Sequence, residues 1–392
     1  MFRRLRGAVA TALVAATAAT TIAIAAAQTS SDVITIGYTG PLSGGAAAYG
    51  TDVQHGLQMA IDEINAAGGV KVGGKKATFK LVSLDDQYRP PNSVANAKQL
   101  SQQNNAVIVF CPHSGGILAI QAMNEKQSPK FVLGAYSSEP AILKQDNHLT
   151  VMIPPAYDSY FKPYIAAEMK RHGKKLGLLA TTSAYGKAWA DGFRKAWEAA
   201  GGTVTGDYGV DYNTTTDFSG AVTKALNDKP DVMLVGGPSQ PTGLVIKSAR
   251  NQGYKGGFAM MDQAKFEQVQ DVAPIALLEG TIGVIPFADF GPGVKQFIPR
   301  YNAKFGGSRP PNSEVGLNYE TMHVFAAAIQ EANSTDPAAI MAKVPSAAKS
   351  LPGTYRVADI NGVTKAGHLL IRAVAALVSK GKFEPVQVPF TE

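Results

Sequence analysis

The stretch VITIGYTGPLSGGAAAYG, residues 33–50, decides the fold, because a short apolar run passes directly into a dozen residues that are nearly all small. The run VITIGY predicts a buried strand. Small residues let a backbone approach another group closely, and the single large ring at the end of the stretch, Tyr49, indicates a contact with a small molecule. The next segment, residues 51–66, places its apolar residues on one helical face: Val53, Leu57, Ala60, Ile61 and Ile64.

The same unit of strand, loop and amphipathic helix recurs along the chain. Further short apolar runs predict strands at residues 79–86, 106–111, 130–135, 175–181, 231–237 and 281–287. Strands that are apolar throughout and alternate with helices indicate parallel sheets with helices on both faces. Because the strands form two sets, at residues 32–150 and 151–285, we expect an α/β fold with two doubly wound lobes.

The last block, residues 286–392, is too short for a third lobe of this kind. Its sequence predicts helices around 294–305 and 314–333. Two strand-like segments follow, GTYRV at 353–357 and HLLIRAVAALV at 368–378. We therefore expect this block to complete the first two lobes.

The first 27 residues are typical of a secretory signal peptide. Three arginines precede an apolar and small-residue run, and Ala25-Ala26-Ala27 offers a cleavage site. A membrane anchor is the competing interpretation, but the run is rich in alanine and threonine rather than leucine, so its transfer into a bilayer would be weakly favourable. We expect cleavage near Ala27 and export to the periplasm.

The charge distribution argues against a nucleic-acid-binding protein, and a single cysteine excludes an internal disulfide. Without the three N-terminal arginines the formal charge falls from +7 to +4, because 34 Lys and Arg face 30 Asp and Glu. The basic residues are scattered and do not alternate with aromatics, so a nucleic-acid partner is not expected. The single cysteine, Cys111, follows the apolar run VIVF and is predicted to be a packed thiol.

The sequence lacks the common signatures of catalysis and metal binding. No G-x-G-x-x-G follows a strand, and no P-loop, H-E-x-x-H, C-x-x-C or G-x-S-x-G motif occurs. The pair Asp85-Asp86 ends a strand, where a hydrogen bond to a helix end or to the other lobe is the simplest expectation. We therefore predict no enzyme activity, no metal and no cofactor.

Open α/β sheets bind ligands at the carboxyl ends of their strands, so the loops after the strands are the candidate site. Ser114 begins a predicted helix just beyond one strand, where it could bind an anion or simply cap the helix. The segment Tyr136-Ser137-Ser138 repeats this chemistry on the adjacent strand. Two hydroxyl-bearing loops side by side predict a site for a carboxylate, and Tyr49 and Tyr185 also follow strand ends.

Asp262 is an acid at the mouth of the second lobe. It could face a cationic group of the ligand, or it could cap a helix that begins at Ala264. Position alone leaves both interpretations open.

The chain resembles the type I periplasmic binding proteins of ABC transporters, and the leucine/isoleucine/valine-binding branch above all. The resemblance covers essentially the whole chain after residue 27. The motifs that carry it are IGYTGPLSGGAAAYGTDVQHGLQMAIDEINAAGGV, LVSLDDQYRPPNSVANAKQL, PHSGGILA, SAYGKAWADGFRKAWEAAGGTV, DFSGAVTKALNDKPDVMLVGG and EGTIGVIPF.

The resemblance implies two lobes that close on a ligand and are joined by three crossing strands, near residues 152–154, 284–286 and 368–371. Residues 28–152 and 287–367 would form the first lobe, and residues 153–286 and 368–392 the second.

The resemblance also implies a role for each site residue. Ser114 would bind the ligand carboxylate, and Ala135, Tyr136 and Ser137 would supply a carbonyl to the ammonium and a hydroxyl to the carboxylate. Tyr185 would lean over the ligand, Asp262 would neutralise its ammonium, and Tyr49 would form an aromatic wall.

The ligand class stays open at this point. An amino acid, apolar or branched-chain, is the first hypothesis, with an inner-membrane ABC permease as partner and a monomeric receptor. An aromatic carboxylic acid, or an amide or urea-like compound, is the second, because Tyr136 stands where the family has Thr or Ser. A sensory module and a catalyst on the same scaffold are further alternatives, and the absence of a nucleophile–base set disfavours the catalyst.

Overall fold

A computed structural model describes residues 32–390 of the 392-residue chain. The predicted signal peptide and its cleavage site lie outside the described residues. Within the described part, no helix is both long and apolar enough to cross a membrane.

The first lobe is built on a six-stranded sheet. Its elements are β1 (Asp32–Gly40), α1 (Ala47–Ala66), β2 (Val70–Val72), β3 (Lys75–Asp85), α2 (Pro90–Gln102), β4 (Ala106–Cys111), α3 (Ser114–Gln121), β5 (Val132–Ala135) and β6 (Thr150–Met152). The strand order is β2-β3-β1-β4-β5-β6. All neighbours pair in parallel except β2 with β3, which closes one edge as an antiparallel hairpin.

The second lobe repeats this arrangement. Its elements are α4 (Phe161–Arg171), β7 (Lys175–Ala180), α5 (Ala184–Ala199), β8 (Thr203–Asp207), α6 (Ser219–Asn227), β9 (Val232–Gly236), α7 (Ser239–Asn251), β10 (Gly257–Met260), α8 (Phe266–Val269) and β11 (Thr281–Val284). In both sheets the first strand of the lobe lies between the second and third long strands. The order in which strands are added to the sheet therefore reverses next to the first strand.

The remaining chain returns to both lobes. Its elements are α9 (Val294–Phe305), α10 (Ser313–Ala332), α11 (Pro337–Ser350), β12 (Ile360–Val363), β13 (Leu369–Ile371), β14 (Ala375–Ser379) and β15 (Lys382–Val386). The strands β14 and β15 add to the second sheet, in the order β15-β14-β11-β10-β9-β7-β8. The helix α10 packs along α1 in the first lobe. The last block of the chain therefore completes both lobes, as expected.

Each sheet carries an apolar core on both of its faces. In the first lobe Ile36 and Phe110 point into one core, and Val109 and Leu133 point into the core on the opposite face. The second lobe divides its strands between two cores in the same way. Strands that bury side chains on both faces need helices on both sides of the sheet. The predicted α/β fold with two doubly wound lobes is therefore confirmed.

Three segments cross between the lobes side by side. The backbone N–H of Met152 donates to the carbonyl of Gly367 at 2.9 Å, and His368 Nε2 lies 2.9 Å from the carbonyl oxygen of Pro154. The third crossing segment contains Ile285, whose backbone N–H donates to the carbonyl of Val374 at 3.3 Å.

One boundary differs from the expected one. Leu369 and Ile371 pack in the core of the first lobe, and β13 pairs with β12. The chain therefore leaves the first lobe after Ile371, and the transfer of residues 368–371 to the second lobe is corrected. The apolar side chains of β13 fix this boundary, because they need the first core for burial.

Two strand predictions fail for local reasons. The segment GTYRV forms a short 3-10 turn at Gly353–Tyr355 instead of a strand. The run 368–378 is divided into β13 and β14, because the crossing between lobes interrupts it.

Close packing of α1 against α10 generates a prediction about Gly56. A Cβ atom at this position would lie 2.2 Å from the carbonyl oxygen of Val315 and 3.2 Å from the backbone nitrogen of Tyr319. Gly56→Ala should therefore lower the free energy of unfolding by about 1–3 kcal/mol, as other overpacked cores do. Urea unfolding followed by circular dichroism measures this change.

The matched control is Gly220→Ala in α6. A Cβ atom there meets nothing within 4 Å. This variant should be as stable as the wild type or gain up to about 1 kcal/mol. If Gly56→Ala unfolds at the same urea concentration as Gly220→Ala, the helices are not in the close contact described.

Candidate functional site

The carboxyl ends of both sheets face one narrow cavity between the lobes, with a volume of about 20 Å³. Its walls come from strand-end loops of both lobes, and the residues that line it are Tyr49, Tyr88, Pro112, His113, Ser114, Tyr136, Ser137, Ser138, Pro154, Tyr185, Asp262, Gln263, Lys265 and Glu314.

Ser114 begins α3 at the end of β4, and its hydroxyl is not used as a helix cap. The cap is His113, whose Nδ1 accepts a hydrogen bond from the backbone N–H of Gly116 at 3.1 Å. Ser114 Oγ instead lies 2.8 Å from Ser137 Oγ, and Ser114 is buried. The hydroxyl is therefore available to the cavity.

His113 is held by a buried carboxylate. Its Nε2 lies 2.9 Å from Asp86 Oδ2, and because Nδ1 is an acceptor, the proton sits on Nε2 and is donated to Asp86. Ser93 also donates to Asp86, at 2.8 Å. Of the two expected roles, Asp86 therefore takes the hydrogen bond near a helix end, through Ser93 of α2, and among the described residues it makes none to the other lobe.

The atoms of Asp86, Cys111 and His113 lie within 4.8 Å of one another, a spacing that could suit a metal ion. Both ring nitrogens of His113 are already engaged, and burial raises the pKa of Cys111 well above its usual value. Metal ligation needs a thiolate and a free ring nitrogen. The cluster is therefore an internal hydrogen-bond network that fixes the start of α3.

The loop after β5 brings three neighbouring residues to the cavity. Tyr136 and Ser137 line it, as does Ser138. The Ser138 hydroxyl is buried and has no hydrogen-bond partner within residues 32–390. The sequence placed Ser138 in this hydroxyl-bearing loop, but the resemblance assigned the hydroxyl that binds the carboxylate to Ser137.

Ala135 is the one predicted residue that the structure does not bring to the cavity wall. It lies at the end of β5 and is completely buried. Its carbonyl accepts a hydrogen bond from the backbone N–H of Ile153 at 2.9 Å, so this acceptor is already used by the crossing segment.

Asp262 follows β10, and two aromatic donors from α5 fix its carboxylate. Asp262 Oδ1 accepts from Tyr185 Oη at 2.7 Å and from Trp189 Nε1 at 2.9 Å. Burial raises the pKa of Tyr185 well above 10, so the phenol stays a donor at neutral pH. The short helix α8 begins at Phe266, and Lys265 is its N-cap residue, so Asp262 does not cap it.

Tyr49 lies in the first turn of α1 and contributes its ring to the cavity wall. Its hydroxyl donates to the carbonyl of Pro112. The small residues before it approach the other lobe, where Gly45 N–H donates to the carbonyl of Asn213 at 2.9 Å. Close approach of the backbone, expected from the sequence, thus brings the two lobes together.

Lys265 and Glu314 line the cavity and were not singled out from the sequence. Lys265 Nζ lies 2.8 Å from Glu314 Oε1, and their side chains are 5% and 1% exposed. They come from different lobes and are 49 positions apart, so no local motif reveals the pair. The only signal was that Lys265 lies three positions after the candidate residue Asp262.

The comparisons with known proteins agree with this geometry. Residues 33–381 match the family described as periplasmic binding protein. The chain belongs to this family.

Two relatives share about a quarter of their residues with this periplasmic binding protein. One is the "Leu/Ile/Val-binding protein homolog 3" of Brucella melitensis, 26% identical over 320 residues, which are 79% of this chain and 82% of the relative. The other is the "Amino acid binding protein" of Pseudomonas aeruginosa, 27% identical over 322 residues, with coverages of 78% and 80%.

Solved structures show the same fold. The branched-chain amino acid substrate-binding protein LivJ of Streptococcus pneumoniae, in complex with isoleucine, superposes with a TM-score of 0.74 at 24% identity and covers 92% of this chain and 100% of its own. The leucine-binding protein LivK of Thermotoga maritima gives 0.75 at 20% identity, with coverages of 91% and 99%.

The family supplies the coarse function. The family is one of substrate-binding proteins, which are not enzymes, so the prediction that this periplasmic binding protein is not an enzyme is confirmed. Family membership also implies a periplasmic or extracellular location. It binds a small molecule.

Polar contacts across the cleft hold the two lobes of the binding protein together. Besides the Lys265–Glu314 pair, Gln268 Nε2 of the second lobe donates to Asp52 Oδ2 of the first at 2.8 Å. Asp52 is 2% exposed and also accepts from Arg309 and Asn312, each at 2.9 Å. Burial raises the pKa of Asp52 from 3.8 to about 7, although Arg309 and the hydrogen bonds oppose this rise.

The buried Asp52 predicts a pH dependence of stability. Its pKa is higher in the folded protein than in the unfolded chain, so between about pH 4 and about pH 7 the folded state binds the extra proton. The contribution of Asp52 to the free energy of unfolding should therefore fall as pH rises through this window. In Asp52→Asn, whose amide oxygen still accepts from Gln268, this part of the loss should disappear.

Urea unfolding of both proteins at about pH 5 and about pH 8 measures the effect, which should reach a few kcal/mol. The control is Asp62→Asn in the same helix. Asp62 is half-exposed, so this variant also loses one carboxylate, but not a buried one. Equal pH dependence in wild type and Asp52→Asn would show that Asp52 is ionised in the folded protein.

Proposed function

We propose that this protein is the receptor for an α-amino acid, which it binds between its two lobes and delivers to an inner-membrane ABC permease. One observation carries the proposal. The cavity has hydroxyl groups on the first lobe and a fixed carboxylate on the second. A zwitterion bound between them would meet a complementary group at each end.

The hydroxyl end suits a carboxylate. Ser114 and Ser137 share a hydrogen bond of 2.8 Å, and Ser138 adds a buried hydroxyl without a partner in residues 32–390. Ser114 also lies at the amino end of α3, where the helix dipole favours a negative charge. A ligand carboxylate would accept from these hydroxyls and satisfy them.

The carboxylate end suits an ammonium. Both known donors to Asp262 are neutral aromatic groups, so its negative charge is not cancelled by them. A carboxylate in a closed cleft is unfavourable unless a cation meets it. An α-ammonium group would supply that cation, as the names of the amino-acid-binding relatives also suggest.

A second candidate is an aromatic carboxylic acid, or a flat amide or urea-like compound. The rings of Tyr49 and Tyr136 line the cavity with their centroids 6.4 Å apart, so a flat ligand could pack against them. The receptor would in either case act as a monomer, in transport or as a sensory module.

Two substitutions at opposite ends of the site test the proposal. A thermal-shift screen of the twenty amino acids selects the tightest one, and calorimetry then compares it with the same compound lacking its α-amino group. Ser114→Ala should weaken both about ten- to a hundredfold, because it removes a hydrogen bond to a charged group. Asp262→Asn should weaken only the amino acid, because the deaminated compound brings no cation.

Ser101→Ala is the control, since Ser101 is also a buried serine but bonds within α2. It should leave both affinities unchanged. If Asp262→Asn leaves the preference for the amino acid intact, the ammonium does not meet Asp262, and the aromatic-acid candidate takes its place.

We also propose that the protein is exported after cleavage near Ala27. The arginines before an apolar run and the Ala25-Ala26-Ala27 segment support this. Mass spectrometry of the periplasmic fraction should find a chain that begins near Gln28. Recovery of the uncleaved chain from the membrane fraction would contradict it.

A further inference from the structure

The wall of the cavity carries a buried ion pair whose partners come from different lobes. Lys265 Nζ donates to the carbonyl of Asp262 and lies 2.8 Å from Glu314 Oε1. Glu314 is the second residue of α10, and both side chains line the cavity. The pair therefore belongs to the surface that a bound ligand would touch.

The second oxygen of Glu314 has no hydrogen-bond partner among the other residues that the structure describes. Oε2 is buried, and it accepts no hydrogen bond from any other residue in the described range 32–390. Burial raises the pKa of Glu314, and Lys265 opposes this rise. An unsatisfied acceptor in a buried site is unfavourable, so a ligand group that donates to it would be favoured.

An aliphatic ligand side chain cannot meet this need. It would cover Glu314 Oε2 with methyl groups and leave the acceptor unpaired and cut off from water. A side chain with an N–H or O–H group would instead donate to it. Tyr49 and Tyr136, both near Glu314, would enclose the rest of such a side chain.

We propose that Glu314 determines specificity, and that the ligand is an amino acid whose side chain carries an N–H or O–H donor, such as a carboxamide or a hydroxyl. The inference rests on the proposed function, since the amino-acid end of the ligand is held by Ser114 and Asp262. It departs from the apolar, branched-chain ligand expected from the resemblance.

Pairs of amino acids with the same shape test the inference. L-Asparagine and L-leucine have side chains of nearly equal shape, and so have L-threonine and L-valine. Calorimetry with the wild type should give the polar member of at least one pair an affinity about ten- to a hundredfold above that of its aliphatic partner.

The double variant Lys265→Met, Glu314→Leu keeps the volume and removes the ion pair. Replacement of a buried ion pair by apolar residues is commonly neutral or stabilising, so the variant should fold. It should lose the preference for the polar member, or reverse it. Glu320→Gln is the control, because Glu320 is buried in the same helix but accepts from Val357 and Ala358, away from the cavity.

Each outcome decides between specific alternatives. If the aliphatic member binds more tightly in both pairs, the inference is wrong and the proposed function stands. If the double variant changes all affinities equally, the pair only holds the lobes together, and the inference is again wrong.

The deaminated compounds, succinamate against 4-methylpentanoate, repeat the first comparison without the ammonium. If only these bind, a preference for succinamate supports the role of Glu314 although the amino-acid proposal fails. If none of the compounds binds, both proposals fail.

Discussion

A single buried carboxylate organises the ligand-facing edge of the first lobe. Asp86 is completely buried and accepts hydrogen bonds from the end of β1 through Thr39, from α2 through Ser93, and from His113. These three groups come from three separate segments of the first lobe. Because His113 in turn caps α3, the position of Ser114 depends on a carboxyl group that does not line the cavity. Removal of one such partner would leave the others buried and unsatisfied.

The predictable part of this structure was set by local pattern. The apolar spacing of residues 53–64 requires a helix, and continuous apolar runs such as 106–111 require strands buried on both faces. The strand-end rule then located most of the cavity wall, including Tyr49, Ser114 and Asp262. The order of the strands in the chain was enough for this prediction, since the carboxyl ends of parallel strands always meet at one edge of the sheet.

The unpredicted part depends on contacts between distant segments. Lys265 and Glu314 meet only because the two lobes close on each other. His113, and not Ser114, caps α3 because Asp86 orients the His113 ring. The helix α11 contains Pro345, a residue that ordinarily ends a helix, and was not predicted. In each case tertiary packing decides between local alternatives.

The helix α10 has a consequence for the order in which the chain can fold. Its side chains share one core with β1 and α1, as do Leu369 and Ile371 of β13. The first lobe therefore begins near the amino end but lacks a full core until about residue 371 has been synthesised. The second lobe likewise waits for β14 and β15 at its edge. Both lobes are therefore completed only by the last part of the chain, unlike domains that follow one another in sequence.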